Sequence, residues 1–146
     1  MLLNDKLLTM QTTINTDGGS RGNPGLAACA FVVTELGVVK ALGSKFLGIQ
    51  TNNYAEYQGV IIALEWLLKN HNKILNEELV FLLDSELVVK QLNGVYKVKD
   101  VNLKILHTQI LNTVKNSRIK ISFKHIPRHL NKEADKLVNE EMDRNS

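Results

Sequence analysis

Cysteine is nearly absent from this 146-residue chain. The single residue, Cys29, excludes an intramolecular disulfide framework and fits a reducing compartment. It stands in the apolar run from Ala27 to Val33, which marks it as a small core residue and not a nucleophile. Long apolar runs are also missing: none approaches the roughly 20 residues needed to cross a bilayer, so no membrane partner is expected. Met1 to Met10 contains Asp5 and Lys6 and lacks a continuous apolar core, which makes it a poor signal peptide. A cytoplasmic location is the expectation. There is no internal repeat, low-complexity tract or linker, so 1–146 reads as a single domain with a short extension at 1–10. No cysteine pair or third histidine joins His125 and His129, four residues apart, so zinc is not expected. His71 and His107 read as surface residues.

What is present is ordinary in bulk and informative in detail. Apolar residues make up 44% and charged residues 23%, enough for a genuine core. A net charge of +3 and a sequence pI near 9.0 permit nucleic-acid binding without demonstrating it. The pattern predicts strands at about 11–17, 26–35 and 38–49, the first three forming an antiparallel meander. A helix follows at about 53–69, with Tyr57, Val60, Ile61, Leu64, Leu67 and Leu68 as its buried stripe and Trp66 packed beside it. A uniformly apolar strand at 79–83 comes next, then helices at about 85–92 and 100–115. Val101, Ile105, Ile110 and Val114 are expected to face inward on the second of these. A strand at about 118–126 alternates Ile119, Ile121 and Phe123 with Lys120, Ser122 and Lys124, and a last helix spans about 131–143. The order βββαβααβα implies an α/β fold: a five-stranded mixed sheet flanked by helices, its later strands reached by helical crossovers.

Four acids fall where such a fold brings its termini together. Asp17 is expected to end the first strand, where Gly18 and Gly19 let the chain bend, and Asp84 follows the buried fourth strand. Glu56 lies in the first turn of the first helix, and Asp135 lies near the start of the last. Strand ends and helix N-termini at one sheet edge converge on a crevice. Carboxylates crowded there repel unless a cation neutralises them, and oxygen-only ligation favours Mg²⁺ or Mn²⁺. Two ions roughly 3.5–4 Å apart would clamp the attacking and leaving oxygens of a phosphodiester. Each acid also has a purely structural reading. Asp17 could cap a turn, Glu56 could close a capping box with Asn53, Asp84 could cap the next helix, and Asp135 could simply suit a helix N-terminus.

The motifs resemble those of the type 1 ribonuclease H family. Asp17-Gly18-Gly19-Ser20 with Gly22-Asn23-Pro24-Gly25 looks like its first motif, and Thr51-Asn52-Asn53-Tyr54-Ala55-Glu56-Tyr57 like its second. Leu83-Asp84-Ser85 with Leu87-Val88 looks like the third, and Asn131-Lys132-Glu133-Ala134-Asp135 like the fourth. Four motifs in order and at compatible spacing cover nearly the whole chain. The resemblance implies a ribonuclease H-like fold and hydrolysis of the RNA strand of RNA/DNA hybrids; a monomer is the separate expectation. It implies two Mg²⁺ ions, with Mn²⁺ as the other option, on Asp17, Glu56, Asp84 and Asp135. It further implies that Asn23, Thr51, Asn52 and Asn53 contact the hybrid's backbone, including 2′-hydroxyls, which amides can both donate to and accept from.

The departures are as informative. Many members carry glutamine two residues after the third acid; here it is Glu86, which can only accept hydrogen bonds. Only Val95-Tyr96-Lys97-Val98-Lys99 separates Gly94 from Asp100, so the basic protrusion of some relatives is reduced, implying weaker or more salt-sensitive binding. In the loop where many relatives have a mobile histidine, Arg128 is the better positional match and His129 the other candidate. The competing functions are a nuclease of the same fold acting on duplex RNA or DNA, and a non-catalytic nucleic-acid-binding module. Retention of all four acids speaks against the latter.

Overall fold

The computed structural model describes residues 11–75 and 78–146. The short extension at 1–10 lies outside the described residues. The strands are β1 (Thr12–Gly22), β2 (Gly25–Glu35), β3 (Val38–Gln50), β4 (Glu78–Leu83) and β5 (Lys120–His125). The helices are α1 (Asn52–Asn70), α2 (Glu86–Leu92), α3 (Val101–Ser117) and α4 (Lys132–Arg144), with single 3₁₀ turns at His71–Lys73 and Arg128–Leu130. The strands form one mixed sheet in the order β3-β2-β1-β4-β5. β1, β2 and β3 pair antiparallel, while β1–β4 and β4–β5 pair parallel through helical crossovers, as the element order predicts.

Alternation along β2 divides the interior in two. Phe31 and Val33 join Ile14, Phe81 and Phe123 in the larger core, which α1 closes with Tyr57, Val60, Leu64 and Leu67 and α3 with Leu106 and Ile110. Ala28 and Ala30 meet Val138 and Met142 of α4 in a smaller cluster. Small alanines there let α4 approach β2 closely, while the bulky layer carries most of the apolar burial. Trp66 packs beside the stripe as expected, its ring 6.1 Å from that of Phe31.

Several local expectations need correction. β1 does not stop at Asp17; it continues through Gly18 and Gly19 to Gly22, and the reversal falls at Gly22–Gly25, where Gly22 has φ of 95°. Leu68 is exposed, outside the stripe of α1. On α3 the inward residues are Leu103, Leu106 and Ile110, whereas Val101 and Ile105 are exposed. Asp100 caps the helix, its carboxylate accepting from the Leu103 amide at 3.0 Å. His107 is not a surface residue: its ring nitrogen lies 2.8 Å from the Gln91 carbonyl, and its ring packs edge-on to Tyr57. Glu35, at the end of β2, is buried and accepts from Thr12 Oγ1 at 2.6 Å and from the Leu75 amide at 2.8 Å.

Candidate active site

The site opens where two neighbouring strands part. β1 pairs with β4 only from Thr12 opposite Leu79 to Asn15 opposite Leu82. Beyond Asn15, β1 continues against β2 alone, and β4 ends at Leu83. Asp17 and Asp84 flank the gap that results. The crevice therefore arises from the divergence of two strands, with Asp17 inside a strand and not at its end.

Glu56 reaches the same place because α1 lies directly on β1. At Gly18 a Cβ would overlap the backbone of Ala55 and Glu56, and at Gly59 it would lie 2.8 Å from the Asp17 carbonyl oxygen. Two glycines thus permit the contact that seats Glu56 beside Asp17. Thr51, not Asn53, is the N-cap of α1, its hydroxyl accepting from the Tyr54 amide at 3.2 Å. The capping-box position is then Tyr54, two residues before Glu56, so that structural reading falls. Ser85 caps α2 by accepting from the Val88 amide, which relieves Asp84 of the same duty.

Oxygen atoms of Asp17, Glu56 and Asp84 lie within 4.8 Å of one another. Asp135 lines the same cavity from α4 but stands outside that close trio. Burial, reinforced by the negative charge of Asp84, pushes the Asp17 carboxyl from 3.8 up to about 7. Burial and then the charges of Asp17 and Asp84 raise Glu56 well above the usual carboxylate range. Glu56 Oε2 is buried with no hydrogen-bond partner. An all-oxygen cluster with strained protonation and an orphaned acceptor fits a hard divalent cation.

Asn131, which sequence reasoning named only as part of the fourth motif and gave no role, reaches the site. It is buried, and its Nδ2 donates to Asp84 Oδ2 at 3.1 Å and to the Thr16 carbonyl at 2.9 Å. Asparagine just before a helix has the local signature of a cap, and nothing in the sequence distinguishes that from an inward-facing amide.

The cavity, about 490 Å³, is also lined by Ser20, Arg21, Asn52, Asn53 and Arg128. His129 is exposed and does not line it. Asn52 Oδ1 accepts from the Ser20 amide at 2.9 Å, and Asn23 Oδ1 accepts from the Asn52 amide at 3.0 Å, docking the β1–β2 turn against the start of α1. Asn23 and Thr51 line an adjoining cavity of about 330 Å³, which Asn53 shares. Glu86 is exposed and pairs with Lys90 Nζ at 2.7 Å, which holds its carboxyl below the ordinary range.

This sheet, with its acids where β1 and β4 part, defines the ribonuclease H-like class. Residues 15–141 match the family model described as reverse transcriptase-like. LC11-RNase H1, isolated from compost by a metagenomic approach and solved in complex with an RNA/DNA hybrid, is 41% identical with a TM-score of 0.87, over 92% of this chain and 98% of that one. RNase H1 of Halobacterium salinarum is 34% identical with a TM-score of 0.84, over 92% and 98% of the two chains. The chain belongs to the type 1 ribonuclease H family. It also matches the bifunctional protein Rv2228c of Mycobacterium tuberculosis, 39% identical over 136 residues, 92% of this chain but only 36% of that protein's length. The chain therefore spans about a third of the first curated relatives it matches.

Proposed function

We propose that this protein is a metal-dependent endonuclease that hydrolyses the RNA strand of RNA/DNA hybrids, leaving 5′-phosphate and 3′-hydroxyl ends. The observation that carries the reading is the trio of carboxylates from β1, α1 and the end of β4 within 4.8 Å, one with an unpartnered buried oxygen. The hybrid bound to LC11-RNase H1 supports the substrate class. Asp17, Glu56, Asp84 and Asp135 would hold two Mg²⁺ ions, with Mn²⁺ as an alternative. Bound there, such ions supply activation of a water and neutralise charge on the departing 3′ oxygen.

The rest of the work falls to the chain itself. Asp17 and Glu56 must surrender their protons to become ligands. Asn23, Thr51, Asn52 and Asn53 read the hybrid backbone; Thr51 accepts one bond as a cap and can still donate its own hydroxyl proton. Arg128 lines the cavity and can donate two hydrogen bonds to a phosphate. Glu86 need not repel the hybrid, because Lys90 neutralises it. A monomer in the cytoplasm is the working state. No helix among the described residues is long and apolar enough to cross a membrane.

A labelled hybrid incubated with and without Mg²⁺, alongside duplex RNA and duplex DNA, tests the proposal. Cleavage of the hybrid alone, only with metal and lost in Asp17→Asn and Asp84→Asn, is the expected result. Equal cutting of duplex RNA would move the assignment to a different nuclease. Near wild-type turnover in either variant would remove that acid from the site.

A further inference from the structure

The N-cap of α4 is occupied by a residue that does not cap. Asn131 has φ of −115° and ψ of 28°, is 1% exposed, and makes no side-chain bond to its own helix. Asparagine at this position ordinarily accepts such a bond from an amide in the first turn of its helix. Here the side chain turns inward instead, and every polar atom it has is engaged across the fold. One Nδ2 proton goes to the Thr16 carbonyl and the other to Asp84 Oδ2. Its Oδ1 accepts from Asn15 Nδ2 at 3.1 Å.

The three bonds fix which way the amide points. Reversing it would set Oδ1 against two other acceptors and Nδ2 against the Asn15 donor. Asn15 is the residue that makes the reversed arrangement costly, and it lies in the last register where β1 still pairs with β4. Asp84 follows the end of β4 and has no strand neighbour to steer it. With Oδ2 held by Asn131, Oδ1 is left for a cation.

We infer that Asn15 and Asn131 are a positioning pair: Asn15 locks the Asn131 amide, and Asn131 aims the Asp84 carboxylate at the metals. The inference rests on the metal-binding reading of the acid cluster proposed above. Partners that orient a ligand in this way commonly change metal affinity by about ten- to a hundredfold when removed.

The test is a double-mutant cycle on Mg²⁺ affinity, measured calorimetrically on the hybrid-free protein, with Asn15→Leu, Asn131→Ala and the double variant. Asn131→Ala is expected to weaken Mg²⁺ binding about tenfold or more. Asn15→Leu should weaken it about two- to threefold, and should add nothing once Asn131 is gone. Asn131→Ser substitutes if Asn131→Ala does not fold, with the same order of effects. Hybrid cleavage supplies a second readout: turnover should recover at high Mg²⁺, which a general loss of folding would not allow. Wild-type Mg²⁺ affinity in both single variants, with only a lower melting temperature, would overturn the pair while leaving the metal site intact. So would additive effects of the two substitutions. Failure of the wild-type protein itself to bind Mg²⁺ would sink the underlying metal reading, and this inference with it.

Discussion

Two arginines line the cavity, and they are held differently. Arg21 is tethered to α4 by an ion pair with Asp143 at 2.7 Å and a bond to the Asn139 carbonyl. Arg128 sits exposed on the turn that leads into α4. If Arg128 grips a phosphate or the leaving product, Arg128→Ala should lower turnover about tenfold or more with metal binding retained. Arg128→Lys should restore only part, since an ammonium lacks the planar fork. His129→Ala should do little, because His129 does not line the cavity. Steady-state cleavage of one hybrid by the three variants decides between them, and a crippled His129→Ala beside a healthy Arg128→Ala would reverse the assignment.

Asp17 makes the site sensitive to pH. Its folded value of about 7 lies above its ordinary 3.8, so between them the metal-free folded protein keeps a proton that the unfolded chain has lost. Stability from this group is complete below about 3.8 and declines as pH rises through about 7. A cation must expel the same proton, and that of Glu56 with it, so Mg²⁺ affinity should climb as pH rises through about 7. Calorimetric titrations across that range check this, and affinity independent of pH would contradict it. At this scale the acids could be picked out because each stands in a motif; Asp17, Glu56 and Asp84 lie together, and Asp135 lines the same cavity. Asn15 and Asn131 could not, because an amide's partners depend on tertiary register, which a local pattern does not encode.

Among the elements, the first strand departs most from its local pattern. Glycines after Asp17 read as a bend, yet the chain stays extended, because Gly18 serves close packing and not reversal. Composition cannot separate these uses of glycine; only the helix lying overhead does. Gly18→Ala should therefore push α1 off β1, costing about 1–3 kcal/mol or more, and should displace Glu56 enough to depress cleavage. Gly19→Ala is the comparison, since its nearest neighbour would be Val138 Cγ1 at 3.8 Å, an ordinary contact. Its urea midpoint should stay near wild type. Equal midpoints for the two variants would mean that α1 yields more easily than the packing implies. The helix starts were misplaced by one or two residues for a related reason. Thr51 and Asn53 both suit an N-cap, and only the structure distinguishes them.

For the whole molecule, element order and strand pairing were readable from the alternation of strands and helical crossovers, and the sheet has that arrangement. Inward positions on α3 were legible only for Ile110 and Val114, while Val101 and Ile105 are exposed, because that helix carries apolar residues on more than one side. Global stability should respond to the ions the site is proposed to hold. Without metal, Asp17, Glu56 and Asp84 crowd within 4.8 Å, and burial and mutual repulsion disfavour their charged forms. Mg²⁺ should raise the melting temperature by mass action, by about 2.7 kcal/mol of stability at a hundredfold excess over the dissociation constant. A melting temperature unmoved up to saturating Mg²⁺ would show that the free protein lacks a shared ion site.

The parting of β1 and β4 also has a kinetic side. β1, β2 and β3 can join through short reversals, but β1 meets β4 only after β2, β3 and α1 have been threaded between them. Closure of that short but non-local parallel ladder is slow in the way such pairing generally is, and Asp84 joins Asp17 and Glu56 only once it has formed. An ion seated among them strengthens contacts formed last, so it would retard unfolding and leave the folding rate nearly unchanged. Under the proposed metal role, ambient magnesium would govern the lifetime of the folded enzyme as well as its capacity to cut.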